Sequence, residues 1–477
     1  MSTTSLVYQV LKCLNDKAIP YCLLRDGEDI DQFRSGGEID ILVADTHFAT
    51  LRRQLHELQF VQLATLGYSP HTFFIAYDSH GDCWLKLDVV TKIAFGRPIQ
   101  SLSTSLSVNC LGNRRFAGLA YVPSPEDELV SLLLHCVLDK AHISPARARR
   151  LASLRLQVTD EHYITSLLAT HWSIDLTWQR LAAIIDNSDF VHLLEARQTV
   201  ASRLANRGPW RTHARSLCGR MLRKLSRLAP FYRPWSFTVA FLAPDGAGKS
   251  TLVNTLVDTA YIPVRSIYMG LYQGRAASRR IVMPGVGMMN ALFKQWSRCC
   301  AASYHTIMGR LVLFDRYTYD ALLPPRRRPS LLQRLRRWLL AHSCPSPDLV
   351  FLLDAPGQLL FKRKAEHSEA TLENQRQAYL EMRSSVPNMI VVDAAQDSDQ
   401  VRRKVLTLIW KHVVDHNARR CANDSRVGDV GARHCGSNCG EGLAGDEDSL
   451  YDVTVSEDHR NIHIVRDACG GTTRSTH

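Results

Sequence analysis

The sequence predicts an α/β protein whose C-terminal half is a parallel sheet of about five strands with flanking helices. Short apolar runs alternate with helical sequence between residues 235 and 414. Each run is apolar on both faces, as expected of strands buried in a parallel sheet with crossover helices. A glycine-containing turn joins the first run to the first helix, which supports the same fold class. The predicted strands are residues 238–242, 264–268, 311–314, 349–353 and 390–392.

The N-terminal residues 1–122 are predicted to form an α+β domain. Helical patterns alternate there with short apolar runs, several of which alternate polar and apolar positions. A period of two residues is typical of strands with one buried face. The strands predicted for this domain are residues 21–24, 39–43, 72–77 and 84–90.

Residues 123–234 are predicted to be a helical region that ends in a linker. Ser124, followed by Glu126 and Asp127, matches a helix N-cap with acidic residues in the first turn. Residues 211–227 form a basic amphipathic stretch ahead of prolines. We interpret it as a solvated helix with one packed face, although such a helix can also lie on a membrane surface.

The tail at residues 415–477 is predicted to be disordered, because it is rich in Gly, Asp, Ser and Arg and shows little periodicity. It contains His434, Cys435, Cys439 and Cys469. Their spacing matches no paired zinc-binding motif, so no metal site is predicted in the tail.

The composition is that of a globular protein with an excess of basic residues. Charged residues make up 22% and hydrophobic residues 45% of the 477 residues, which is ordinary for a folded chain. The formal charge of +12 favours polyanionic partners, and phosphates on small molecules serve as well as nucleic acid. The 13 scattered cysteines and the lack of a secretory signal predict free thiols in the cytoplasm. No apolar run is long enough to predict a transmembrane segment.

Residues 237–253, FTVAFLAPDGAGKSTLV, have the pattern of a phosphate-binding loop. An apolar strand ends in a glycine-containing turn, and Gly-Lys-Ser-Thr opens an apolar-periodic helix. Backbone amides at a helix N-terminus can surround a nucleotide β-phosphate, where the helix dipole favours negative charge. The predicted nucleotide-binding residues are Asp245, Gly246, Ala247, Gly248, Lys249, Ser250 and Thr251.

Two side chains of this loop have specific predicted roles. Lys249 reaches the β- and γ-phosphate oxygens, and the Ser250 hydroxyl is a ligand of Mg²⁺. Ala243 stands where the motif has its first glycine. If that position requires a positive φ, the methyl group costs about 1 kcal/mol.

Two further strand ends carry side chains suited to phosphoryl transfer. Asp315 and Arg316 follow a predicted strand at the carboxyl edge, where parallel sheets bind ligands. Asp315 can hold a Mg²⁺-bound water or orient an acceptor hydroxyl, and Arg316 can clamp an acceptor phosphate with two hydrogen bonds. An ordinary ion pair is the alternative. Asp354 ends the next strand, and Arg363 lies in a basic run that is either a lid over the γ-phosphate or a solvated helix end.

Residues 236–413 resemble the thymidylate kinase-like branch of the P-loop nucleoside monophosphate kinases. The motifs APDGAGKST, LVLFDRY and PDLVFLLDAP, and the pair Arg363 and Lys364 followed by ENQRQAYLEM, carry the resemblance. It implies a P-loop kinase fold that uses ATP and Mg²⁺ and a small-molecule phosphate acceptor. It also implies that Asp315 and Arg316 are the DR[YH] motif of the family and that Arg363 belongs to its lid.

The segment after this motif departs from thymidylate kinases. Those enzymes continue with a serine and an AYQ-like segment against the acceptor nucleotide. Here Asp320 and a Leu-Pro-Pro sequence precede Arg326, Arg327 and Arg328. We therefore expect an acceptor other than thymidylate, namely a nucleoside monophosphate or a related, phosphorylated metabolite.

Three carboxylates form a second candidate site in the N-terminal domain. Glu38 and Asp40 lie at i and i+2 of a predicted strand, so both point to one face. Asp88 lies on another predicted strand of the same domain. Three converging carboxylates can hold two divalent metals for in-line nucleotidyl transfer. Polar positions on a half-exposed sheet are the alternative.

Residues 1–145 resemble the nucleotidyltransferase superfamily, particularly members fused upstream of thymidylate kinase-like domains. The motifs are YCLLRDGEDI, GGEIDILV and LKLDVV, with SPEDELVSLLLHCVLDK in the helical region. Arg25, Asp26 and Gly27 stand where active relatives carry Gly-Gly or Gly-Ser. A glutamate, Glu38, replaces the first metal-binding aspartate, so the resemblance implies a domain that is slow or inert as a catalyst.

The leading functional prediction is an ATP- and Mg²⁺-dependent phosphotransferase. A nucleotidyltransferase with the P-loop half as a nucleotide sensor is the second hypothesis. A non-catalytic, nucleotide-dependent assembly protein is the third. Nucleic-acid binding is a fourth and weaker hypothesis. The positive charge and the basic cluster at residues 326–337 support it, but no aromatic recognition residues accompany them. A homodimer is left open.

Overall fold

The computed structural model describes residues 5–24, 36–63, 70–97, 99–173, 175–226, 235–270, 286–325 and 329–432. The chain forms two compact units. Among the described residues, the first unit contains those up to residue 226 together with residues 406–432, and the second contains Trp235–Val405. The second unit therefore ends before residue 414, where the sequence predicted its boundary.

A five-stranded mixed sheet forms the centre of the first unit. Its order is β1-β2-β5-β4-β3, and β2 and β5 are parallel while the other pairs are antiparallel. The four predicted strands are confirmed within one or two residues, and β3 was not predicted. The strands are β1 (Tyr21–Leu23), β2 (Gly37–Val43), β3 (Val61–Gln62), β4 (His71–Asp78) and β5 (Cys83–Val90).

Ten helices, two short hairpins and the helical residues 406–432 complete the described part of this unit. The hairpins pair β6 (Ala94–Phe95) with β7 (Leu102–Ser103), and β8 (Arg115–Ala117) with β9 (Ala120–Val122). A 3₁₀ turn, Asp45–His47, precedes α2, and a π-helical turn, His135–Lys140, follows α4. The helices are α1 (Leu6–Asp16), α2 (Phe48–Glu57), α3 (Leu106–Gly112), α4 (Pro125–Leu134), α5 (Pro145–Gln157), α6 (Glu161–His171), α7 (Trp178–Asn187), α8 (Val191–Glu195), α9 (Arg197–Asn206) and α10 (Pro209–Ser226).

One core joins the predicted helical region to the N-terminal sheet. Leu42 and Val90 of the sheet share a cluster of buried residues with Leu129 and Leu133 of α4. The predicted boundary between residues 122 and 123 therefore does not separate two compact units. The helices bury an apolar stripe that would otherwise face water, and the sheet supplies the opposing surface. The Ser124 side chain caps α4 by accepting a hydrogen bond from the Asp127 backbone amide, as predicted.

The second unit is built on a five-stranded sheet in which all strands are parallel. Its order is β11-β12-β10-β13-β14. The sequence prediction of a parallel sheet is confirmed, since each strand lies within one residue of its predicted position. The strands are β10 (Thr238–Leu242), β11 (Val264–Tyr268), β12 (Leu311–Asp315), β13 (Leu349–Asp354) and β14 (Met389–Asp393).

Helices and short helical turns connect these strands. Because all five strands run in one direction, their carboxyl ends meet at one edge of the sheet, where the connecting loops converge. The helices are α11 (Lys249–Thr259), α12 (Val286–Ile307), α13 (Leu331–Ala341), α14 (Gly357–Arg363), α15 (Glu369–Glu381) and α16 (Ser398–Ala432), with 3₁₀ turns at Thr318–Leu322 and Met382–Ser384.

Helix α16 corrects the prediction of a disordered tail from residue 415, because it continues to Ala432. Ile409 and Val413 are buried, and the Trp410 indole donates a hydrogen bond to the Gln59 carbonyl over 3.1 Å. These contacts hold α16 in place. The helix can continue beyond residue 415 because adding residues to an existing helix does not require a new nucleation step. The rest of the predicted tail, including its cysteines, lies outside the described residues.

Two other sequence expectations have structural outcomes. None of the helices in the described ranges has the length and apolar character needed to cross a membrane. The nine cysteines whose side chains the structure describes, from Cys13 to Cys344, are free thiols.

Candidate active site

The turn between β10 and α11 requires glycine at two positions. Gly246 and Gly248 have φ values of 90° and 83°, in the left-handed region that favours glycine. A methyl group on Gly246 would also lie 2.7 Å from the Leu360 carbonyl oxygen. The loop therefore packs closely against α14 at the point where α11 begins.

Ala243 stands where the motif has a glycine, but its backbone is not strained. Its φ is not positive, and its side chain is completely buried. The penalty that the sequence analysis tied to a positive φ therefore does not apply.

Lys249 is the first residue of α11 and is buried, with 6% of its surface exposed. Its ammonium group donates hydrogen bonds to the carbonyl oxygens of Ala243, at 2.7 Å, and Pro244, at 2.9 Å. Burial, assisted by the nearby Arg316, lowers the pKa of Lys249 to about 8. The loop thus holds a buried cation. Binding of an anionic ligand would offset the free-energy cost of desolvating this ammonium group.

ATP affinity is expected to fall by up to about tenfold per pH unit above pH 8, the pKa of Lys249. Below that pH the ammonium is charged and attracts phosphate oxygens, and above it the attraction is lost. Titration with a fluorescent ATP analogue across this range measures the effect. Lys249→Arg is the control, because a guanidinium stays charged and should flatten the profile. An affinity independent of pH in the unchanged protein contradicts the prediction.

Ser250 and Asp315 meet at the carboxyl end of the sheet. The Ser250 hydroxyl donates to Asp315 Oδ2 over 2.7 Å. The other carboxylate oxygen, Oδ1, is buried and has no hydrogen-bond partner among the described residues. A hydroxyl beside a carboxylate with a free buried oxygen is a donor set that suits Mg²⁺. These two residues therefore fit the metal that the sequence analysis assigned to them.

Arg316 lies between two carboxylates. Its guanidinium contacts Asp245 of the glycine-containing loop and donates to Asp320 Oδ2 over 3.3 Å. Although burial opposes the charge, Asp320 and Asp245 raise the pKa of Arg316 above its usual value. Its φ of 68° is unusual for a non-glycine residue. The two carboxylates thus hold Arg316 in place. An acceptor phosphate that binds Arg316 must displace one of them or bind beside them.

Asp320 is a site residue whose partners the sequence did not reveal. It is buried and accepts a hydrogen bond of 2.9 Å from the Tyr379 hydroxyl of α15. Burial raises the pKa of Asp320, while Arg316 opposes this shift. A polar residue four positions after Arg316 was the available signal, but Tyr379 lies too far along the chain for spacing to indicate it.

Arg363 lies on the wall of a cavity of about 280 Å³. Its guanidinium donates to the Ala394 carbonyl over 2.8 Å, directly after β14. Gly248 and Thr251 of the phosphate loop line the same cavity. The lid role of Arg363 over the γ-phosphate stays a prediction. Its place on the cavity wall suits contact with the base or sugar of a nucleotide whose phosphates lie on the loop.

Asp354 has a structural role. Both of its carboxylate oxygens accept hydrogen bonds from Arg376 of α15, at 2.5 and 3.0 Å. Arg376 also contacts Glu373, which in turn accepts from the Gly357 backbone amide over 2.8 Å. These bonds tie the end of β13 to α14 and α15, the helices that carry Arg363 and Tyr379.

The three N-terminal carboxylates lie together on one face of the first unit's sheet. Glu38, Asp40 and Asp88 each place an oxygen within 4.8 Å of the others. Two side chains contact the cluster: the Lys86 ammonium lies 2.8 Å from Glu38, and the His71 ring nitrogen Nδ1 lies 2.8 Å from Asp88. The geometry fits a divalent cation, which would compete with these partners for the carboxylates. Residues 25–27, the other feature noted for this domain, lie outside the described residues.

Comparison with known proteins finds partial similarity to nucleotide kinases. No family model matches the chain. A probable thymidylate kinase of Thermococcus kodakarensis is 29% identical over 111 residues, which cover 21% of this chain and 52% of that protein. The chain therefore spans about half the length of this curated relative.

Two solved structures align with part of the chain at low TM-scores. A deoxyadenosine kinase from M. mycoides with bound dATP is 13% identical, covering 36% of this chain and 98% of that one, with a TM-score of 0.26. The thymidylate kinase from Candida albicans is 18% identical, covering 38% and 93%, with a TM-score of 0.28.

Proposed function

We propose that the second unit is an ATP- and Mg²⁺-dependent phosphotransferase. The observation that carries this proposal is the meeting of Lys249, the Ser250–Asp315 pair and Arg316 at the carboxyl edge of one parallel sheet. Phosphoryl transfer depends mainly on positioning and charge stabilisation, which these residues supply. A structural ion network would not need a buried lysine at a helix N-terminus.

Each residue has a distinct role in the proposed reaction. Mg²⁺ would be held by Ser250 and Asp315, and it supplies charge neutralisation on the phosphates. Lys249 stabilises the negative charge on the phosphate oxygens. Arg316 orients the acceptor, and Asp245 and Asp320 hold its guanidinium in position. Arg363 contacts the base or sugar side of the bound ATP.

The proposed acceptor is a small phosphorylated molecule, namely a nucleoside monophosphate or a related metabolite. Arg316 is suited to a phosphate, because its planar fork binds two oxygens at once. Asp320 stands where thymidylate kinases carry a serine and is hydrogen-bonded to Arg316. An acceptor other than thymidylate is therefore proposed.

ADP release from the full-length protein tests this function. The protein is incubated with ATP, Mg²⁺ and a panel of nucleosides, nucleoside monophosphates and phosphosugars. At least one acceptor should stimulate ADP release, and Lys249→Ala should abolish that stimulation. ATP binding without stimulation by any acceptor would instead favour a nucleotide-dependent assembly protein.

A nucleotidyltransferase-like activity of the first unit is the second candidate function. It is supported by the convergence of Glu38, Asp40 and Asp88 within 4.8 Å, since paired metals between carboxylates assist in-line displacement. In this alternative the P-loop unit senses nucleotide. The contacts that Lys86 and His71 make with the cluster favour a binding role over rapid catalysis.

Mn²⁺ is expected to raise the melting temperature of the first unit by about 5 °C at about a hundred times Kd. The reason is that a bound cation relieves repulsion between the three carboxylates. Asp40→Asn should remove most of the shift, and Asp16→Asn, an exposed residue of the same unit, should not. Scanning fluorimetry of the full chain measures this in an Asp315→Asn background, which weakens the other metal site. A shift that is absent, or that Asp40→Asn leaves intact, contradicts the metal site.

A further inference from the structure

Helix α13 turns large apolar side chains toward solvent. Leu331 and Leu332 are 81% and 78% exposed, and Leu335 and Trp338 are 53% and 56% exposed. Single exposed leucines are ordinary, but contiguous apolar patches on a folded domain indicate an interaction surface. These four residues are the α13 apolar face.

The α13 apolar face belongs to a well-anchored helix. Leu331, Leu335 and Trp338 follow at i, i+4 and i+7, so they lie along one side, with Leu332 beside them. The helix begins with a capping box formed by Ser330 and Gln333. The opposite side of its last turn is buried, where Leu340 and Ala341 pack against Ala321 and the partly buried Leu292.

Arginines flank the α13 apolar face on both sides. At 100° per residue, exposed Arg334 and Arg336 fall at its two edges. The described segment 329–347, which contains α13, has three arginines and no acidic residue. The border of the apolar face on this helix is therefore cationic.

We propose that the α13 apolar face binds the surface of an anionic lipid bilayer. Leucine and tryptophan side chains enter the boundary between headgroups and acyl chains, while arginines at the edges contact phosphate headgroups. Each basic residue near an anionic membrane surface adds about 1 kcal/mol of binding. The combination of a wide apolar face and a purely basic border matches this ligand on both counts.

Two other occupants fit these observations less well. In a two-fold contact between copies of this chain, the face would bring the same arginines together, with no acidic residue in the segment to pair with them. Nucleic acid would pair with the arginines through its phosphates but would leave the three leucines in water. The lipid surface satisfies the charged and the apolar groups together.

Lipid binding at α13 would bring the acceptor side of the second unit to the bilayer. The Thr318 hydroxyl donates to the Ala341 carbonyl over 3.1 Å, and Arg337 donates to the Ala321 carbonyl over 3.0 Å. Both bonds tie α13 to the 3₁₀ turn that carries Asp320. The binding itself does not depend on phosphotransferase activity.

Flotation of the full-length protein with vesicles tests the proposal without ATP or acceptor. Vesicles of phosphatidylcholine with phosphatidylglycerol should carry the protein, and vesicles of phosphatidylcholine alone should carry much less. Salt should weaken the binding, because it screens the arginines. Absence of binding to both vesicles overturns the proposal, and equal binding to both overturns its electrostatic part.

Paired substitutions distinguish vesicle binding by α13 from vesicle binding by other parts of the chain. Leu331→Ser with Leu335→Ser should weaken binding about tenfold or more. Arg334→Gln with Arg336→Gln should weaken it about twenty-fivefold, at about fivefold per charge. The control is Leu217→Ser with Met221→Ser, which changes exposed apolar residues of the basic helix α10. Unchanged melting curves establish that each variant is folded.

Two results of this comparison would overturn the assignment. One is equal vesicle binding by the α13 variants and the unchanged protein. The other is that the unchanged protein does not bind vesicles, while the double variant Leu331→Ser with Leu335→Ser has half the molar mass of the unchanged protein by light scattering. That result would make the α13 apolar face an interface between copies of the chain.

Discussion

Lys249→Ala is expected to lower kcat for ATP-dependent phosphoryl transfer by a factor of about 10² to 10³, the usual cost of losing one charge-stabilising donor. Lys249 is buried at the N-terminus of α11, where it bonds to two loop carbonyls. No exposed cation can replace a charge held in a low-dielectric environment. Steady-state kinetics by ADP release, with any acceptor found active, measures the change.

The fold should survive this substitution. Burial lowers the pKa of Lys249, so its charge costs folding free energy, and removing the charge should not lower the melting temperature. Lys249→Met keeps the volume of the side chain and should be equally inactive. Lys294→Ala, at an exposed position of α12, is the matched control and should keep full activity. A folded Lys249→Ala protein with a normal turnover rate would contradict the phosphotransferase proposal.

Asp315→Asn is expected to lower kcat by about a hundredfold with little change in acceptor KM. The amide can still accept the hydrogen bond from Ser250, but it lacks the charge that suits the carboxylate to Mg²⁺. Raising the Mg²⁺ concentration should restore part of the rate. Asp258→Asn, which changes an exposed acid on α11, is the control. A large rise in acceptor KM with unchanged kcat would show that Asp315 binds the acceptor instead.

Arg316 should respond differently from Asp315. Arg316→Lys keeps the charge but loses the planar fork, so acceptor KM should rise about tenfold or more. Arg316→Ala also leaves Asp320 without its cation, which should lower the free energy of unfolding by about 3 kcal/mol. Arg383→Ala, an exposed arginine of the same unit, is the control. If Arg316→Lys leaves acceptor KM unchanged, Arg316 does not bind the acceptor.

The sequence by itself determined the parallel sheet and the glycine-containing loop between β10 and α11. The prediction for residues 238–242 matches β10 because a buried parallel strand is a continuous apolar run bounded by polar sequence. The prediction for residues 264–268 matches β11 as well, although β11 lies at the edge of the sheet with Arg265 and Ser266 exposed. The need for glycine at Gly246 and Gly248 is also local, since it arises from the backbone φ of a tight turn. Lys249 and Ser250 follow at once, because their places relative to the turn are set by covalent spacing.

Only the tertiary structure decided which side chains are partners. Tyr379 reaches Asp320 across 59 positions of the chain, and Lys86 reaches Glu38 because β2 and β5 pair in one register. The same holds for Arg363, whose bond to the Ala394 carbonyl places it on a cavity wall. Local pattern records which face of a helix or strand is buried, but not what lies against that face. Packing of distant elements sets those contacts, and with them the charge and pKa of each group.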